Sequence, residues 1–125
     1  MPDTEMRFRA MALVVTDNMI EAADLVDSLS DVGLRPAQTL RDAGEAYVEL
    51  SSGALTPGIL VIGHRLSLQP AQSLLSAATQ MDIPTLVLDG KPEHNSDMVV
   101  SLARPFTTAN VQVAVSALKF PDPPD

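Results

Sequence analysis

Cysteine is absent from this chain, which excludes disulfides and thiolate chemistry and suits a reducing compartment. Tryptophan is also absent, Tyr47 is the single tyrosine, and there are 3 phenylalanines, so there is no aromatic platform on which single-stranded bases could stack. Basic residues are few, 8 against 16 acidic, and the net charge of −8 repels a phosphate backbone, which argues against nucleic acid as a partner. No apolar run is long enough to span a membrane, and the mixed-charge residues 1–9 carry no signal-peptide core. These absences point to a soluble, cytoplasmic protein without a membrane partner. No glycine-rich phosphate loop follows the first apolar run, where Thr16-Asp17-Asn18 stands instead, and there is no nucleophile elbow.

The chain has 125 residues, enough for one domain, and 46% of them are apolar, enough for a core without cross-links. Its organisation reads as a lead-in over 1–9, a folded body over 10–119 and a proline-rich tail over 120–125 that cannot continue a helix. Within the body, two hydrophobic periods alternate. Residues 11–15 and 59–62 are continuous apolar runs, as in strands buried on both faces, and residues 83–88 form a third, opened by Pro84. A weaker strand is expected over 34–39 and a fifth over 99–103.

Between the strands the period becomes helical. Residues 19–32 place Leu25, Leu29 and Val32 on one face and Asp24, Asp27 and Asp31 on the other, and Gly33 supplies the stop. Residues 41–52 predict a helix with Ala43, Ala46, Tyr47 and Leu50 inward. Ser67 is the expected cap of a helix that packs Ala71, Leu74, Leu75 and Ala78, with Pro70 in its first turn. Thr107 or Thr108 caps a last helix with Val111, Ala114, Val115 and Leu118 on one stripe. The scattered methionines, Met6, Met11, Met19, Met81 and Met98, are expected to fill the core. Alternating strand and helix give an α/β fold, and right-handed crossovers narrow it to a doubly wound five-stranded parallel sheet of flavodoxin-like order 2-1-3-4-5. In such a sheet the site lies at the carboxyl ends of strands one, three and four. Those ends carry Thr16-Asp17-Asn18, Gly63-His64-Arg65 and Asp89-Gly90.

Four segments in this order resemble the receiver (CheY-like) domain of two-component response regulators over residues 10–119. LVVTDN at 13–18 is similar to the family's first strand with its acidic pair, and GILVIGHRL at 58–66 to the third strand, which normally ends in the phosphorylated aspartate. IPTLVLDG at 83–90 is similar to the fourth strand, which normally ends in threonine or serine, and Ala103-Arg104-Pro105-Phe106 to the lysine-proline-phenylalanine turn.

The resemblance implies a pocket, and every one of its positions but Asp17 departs from the pattern. Gly63 stands where the acceptor aspartate belongs and has nothing to esterify. Thr16 replaces the first acidic residue. Asp17 retains the second and is the one candidate magnesium ligand, thin coordination for that ion, so no cofactor is expected. Asp89 replaces the hydroxyl that would contact a phosphoryl group and would repel it. Arg104 replaces the lysine without its compact ammonium, and Ser101 falls at the switch aromatic. The polar residues 90–97 leave room for a fourth helix of one turn at most.

The expectation is a pseudo-receiver: a non-enzymatic signalling module that acts by phosphorylation-independent contact with a protein partner, whether a kinase, a regulator or itself. A homodimer through the strand 4/strand 5 side is expected where the shortened helix uncovers the sheet. The alternative is a metal- or ligand-binding protein or enzyme that uses Asp17, His64 and Asp89 as one cluster. The milder reading of that cluster has His64 facing solvent and Asp89 pairing with Arg104 or closing a turn. His94 reads as plain surface.

Overall fold

The computed structural model describes residues 11–31, 33–34, 37–53, 57–63, 69–89, 98–103 and 106–118. Its strands are β1 (Ala12–Val15), β2 (Ala37–Leu40), β3 (Ile59–Ile62), β4 (Thr85–Leu88) and β5 (Val99–Leu102). The helices among the described residues are α1 (Met19–Asp31), α2 (Ala43–Ser51), α3 (Gln69–Gln80) and α4 (Thr108–Ala117). The strands form one parallel sheet in the order β2-β1-β3-β4-β5, with Val15 opposite Leu40 and Ile62, and Ile62 opposite Val87. This is the doubly wound order expected from the sequence.

Every residue of β1, β3 and β4 is buried, because helices cover the sheet on both faces. Alternation along each strand splits the core in two. Ala12, Val14, Ile59, Val61 and Leu86 face Leu25 and Leu29 of α1 and Val111 and Ala114 of α4. Leu13, Val15, Leu60 and Ile62 face Ala46 and Leu50 of α2 and Leu74 and Ala78 of α3. Each fully buried Leu or Ile contributes about 1.5–3 kcal/mol against exposure, before the entropy of ordering it is subtracted. The Ser28 and Thr108 hydroxyls lie 3.1 Å apart and tie α1 to α4 across the first layer.

The structure corrects several expectations. β2 spans 37–40 rather than 34–39, and α2 starts at 43 because Asp42 is its N-cap, accepting from the Gly44 N–H at 2.9 Å. Asp42 is exposed and caps the helix. Tyr47 is 40% exposed, not inward: the buried stripe of α2 is Ala43, Ala46 and Leu50, and Tyr47 lies on its border. There it lines an open groove of about 470 Å³ against α3, with Gln72, Ser76 and Met81. The described methionines do not fill the core either. Met19 and Met81 are exposed and Met11 and Met98 half-buried, because Met19 opens α1 and Met81 follows the end of α3, outside both packed layers. Thr107 is the cap of α4. The predictions made for Val32, Ser67, residues 90–97, the lead-in and its boundary with the body, and the tail fall outside the described residues.

Candidate functional site

In this order of strands the chain leaves β1 toward one side and β3 toward the other, so a hollow opens at the carboxyl ends of these two neighbours. Thr16 and Gly63 are the residues that follow them. The Thr16 N–H donates to Leu40 O at 3.0 Å and the Gly63 N–H to Val15 O at 2.7 Å, extending the ladders one step past the strands.

Gly63 is not a conformational glycine. The described glycines with left-handed backbone are Gly33 and Gly53, not Gly63. It is required instead by space. A Cβ on residue 63 would lie 2.8 Å from Thr16 Cβ, 2.9 Å from Thr16 Oγ1 and 3.0 Å from Glu21 Oε1. The β1 and β3 ends thus approach more closely than two side chains allow.

Thr16 and Glu21 are both buried, although each is polar. The Thr16 hydroxyl donates to Glu21 Oε1 at 3.0 Å and accepts from the Asn18 N–H at 3.2 Å. Asn18 Oδ1 accepts from the Ile20 and Glu21 N–H groups, both at 3.1 Å, which makes Asn18 the N-cap of α1 and Glu21 its third helical residue. In a direct capping box the glutamate at that place reaches back to the cap's own N–H. Here the Thr16 hydroxyl is inserted between them. The result is a chain of donors from Asn18 N–H through Thr16 to the Glu21 carboxylate. No buried side-chain nitrogen or oxygen among the described residues is left without a hydrogen-bond partner.

Asp17 and Asp89 flank the hollow and are exposed. Asp89 has φ 56°, a left-handed conformation that aspartate tolerates better than most residues, and its N–H donates to Leu102 O at 2.8 Å. That bond carries the β4–β5 ladder one step past the strand, into the turn where Asp89 stands. Ser101 is half-buried within β5. His64 and Arg104 lie outside the described residues, and so does any pairing of Asp17 or Asp89 with Arg104. No group of three or more His, Cys, Asp or Glu side chains among the described residues is arranged to hold a metal ion. Asp17 alone offers magnesium one exposed carboxylate, short of the oxygen set that ion takes from protein and substrate together.

Glu21 was not among the residues singled out from the sequence. Its signal is the Asn18-x-x-Glu21 spacing, which marks a helix start. That signal locates the cap but says nothing of the hollow beside it.

No protein-family model and no curated protein sequence matches the chain. Solved structures match its fold. The solution structure of SdrG from Sphingomonas melonis Fr1 superposes with a TM-score of 0.65 at 20% identity, covering 86% of this chain and 93% of that one. The crystal structure of a response regulator receiver protein from Sinorhizobium medicae WSM419 gives 0.69 at 21% identity, covering 85% and 90%. The solution structure of the BeF3-activated conformation of SdrG gives 0.61 at 21% identity, covering 86% and 94%. The chain therefore has the receiver fold, a flavodoxin-like sheet in the order 2-1-3-4-5. No helix among the described residues is long and apolar enough to cross a membrane.

Proposed function

We propose that this chain is a degenerate receiver: a cytoplasmic, non-enzymatic signalling module whose body spans residues 10–119 and which works by protein contact without phosphoryl transfer. The observation that carries this reading is Gly63. It stands at the end of the central strand next to β1, it has no nucleophile, and its surroundings leave no room for one. The residues around it agree. Thr16 spends its hydroxyl on Glu21, and the exposed Asp89 adds negative charge beside a hollow that would otherwise have to accept a phosphate.

The partner on this reading is a kinase, a regulator or a second copy of the chain. The side formed by β4, β5 and α4 favours the second copy. β5 is an edge strand, and α4 carries no charged residue while exposing 70% of Val113. Neither nucleic acid nor a membrane suits a chain with net charge −8. The test is incubation with acetyl phosphate, or with a histidine kinase and ATP, in the presence of magnesium. The expected outcome is no covalent phosphate by intact mass. Phosphate on Asp17, Asp89 or any other carboxylate would overturn the reading.

A further inference from the structure

A buried carboxylate needs a reason, since leaving water costs an ionised group several kcal/mol unless it is hydrogen-bonded or paired. Glu21 is 8% exposed, whereas Glu45, in the first turn of α2, is exposed. The two glutamates sit in similar places on their helices, so helix chemistry alone does not draw Glu21 inward. What differs is the space beside it. Glu21 Oε1 lies 3.0 Å from where a residue-63 Cβ would be, and the hydroxyl that holds it belongs to Thr16, whose own atoms fill the rest of that space.

We infer that Glu21 is the hollow's built-in occupant: its carboxylate, delivered from α1 and held by Thr16, fills the space from which a β3 side chain would project and latches α1 to the β1–β3 seam. This rests on the receiver reading, and it says how such a module keeps one state. In a working switch an added group sets the position of the elements around the hollow. Here the chain's own carboxylate takes that place permanently, and the Asn18–Thr16–Glu21 relay fixes the first turn of α1 against the strand ends. The face this end of the domain offers a partner is then constant.

The latch is tested by amide hydrogen exchange on the full chain, comparing wild type with Glu21→Ala, Glu21→Gln and, as control, Glu45→Ala. In Glu21→Ala the Asn18 and Gly63 amides should exchange about tenfold faster, beyond any change at core amides such as Val14, as expected for loss of one buried hydrogen-bond network. Glu21→Gln keeps an acceptor for the Thr16 hydroxyl and should restore most of the protection. Glu45→Ala should leave both amides within about twofold of wild type.

A second measurement addresses occupancy itself. Gly63→Ala should lower the folding equilibrium constant about tenfold or more by overpacking. In a Glu21→Ala background the carboxylate contact is gone and only the two Thr16 contacts remain. The same substitution should then cost at least about threefold less. Unchanged exchange at Asn18 and Gly63 in Glu21→Ala, or an equal Gly63→Ala penalty in both backgrounds, overturns the latch. If Gly63→Ala does not fold in either background, the exchange comparison decides. Failure of the latch leaves the receiver reading standing, while phosphate on the wild-type chain ends that reading whatever the exchange rates show.

Discussion

Thr16 is the residue on which the hollow turns, because its one hydroxyl serves two partners. It accepts from Asn18 and donates to a carboxylate that is nearly out of water. Thr16→Val keeps the shape and removes both bonds, so Glu21 loses a donor where water does not readily replace it. The expected cost is about 1–3 kcal/mol, and Thr16→Ser, which keeps the hydroxyl, should recover most of it. Urea unfolding of the two variants measures the difference; equal stabilities would mean the hydroxyl contributes nothing. At this scale the sequence was half legible. Gly63 could be placed because apolar strand and motif order fix where β3 ends, and a missing side chain is visible as a letter. Glu21 could not, because an acidic residue in a first turn is ordinarily solvated, and only the short distance between the β1 and β3 ends turns this one inward.

The elements show which local signals are strong enough to be read without tertiary context. The uninterrupted apolar runs of β1, β3 and β4 announce strands buried on both faces, and those strands are buried throughout. β2 and α2 were misplaced at their starts because their register is set by neighbours. Ala37 pairs with Ala12, and Asp42 is the cap where the sequence predicts a helix already begun. Tyr47 was misread for a related reason, since the stripe of α2 is narrow and an aromatic at its border is left in the groove with α3.

α4 has no acidic residue in its first turn and no basic one in its last, so its N-terminus rests on its cap. Thr107 Oγ1 accepts from the Asn110 N–H at 3.1 Å, and Asn110 Oδ1 accepts from the Thr107 N–H at 3.0 Å, a reciprocal pair. Thr107→Ala should destabilise the domain by about 1 kcal/mol, with fraying confined to the first turn of α4. Thermal unfolding together with exchange at Ala109 and Asn110 checks both parts; a loss spread evenly over the domain would show that the cap is not local.

For the whole molecule the decisive quantity is charge. Two copies at −8 repel each other, so they can meet only where the surface between them carries little of that charge. Of the two helices on the first layer, α1 presents Asp24, Asp27 and Asp31 to solvent, whereas α4 presents Val113, Gln112 and Ser116. A dimer built on α4 and the β5 edge would still feel the long-range repulsion of the remaining surface, and salt screens that repulsion over a Debye length of about 10 Å at 0.1 M. Self-association should therefore strengthen with salt, the reverse of a contact held by ion pairs. Sedimentation velocity from about 0.05 M to 0.5 M NaCl reads the trend directly. Val113→Glu, which puts a charge at the centre of α4's exposed face without touching the core, should abolish the dimer and leave the unfolding midpoint unchanged. Val48→Glu, equally exposed in kind but on α2 across the sheet, should leave association as it was. A strict monomer at every salt and protein concentration, or a dimer indifferent to Val113→Glu, would remove the second copy from the set of partners and leave a different protein to read the face that Glu21 holds fixed.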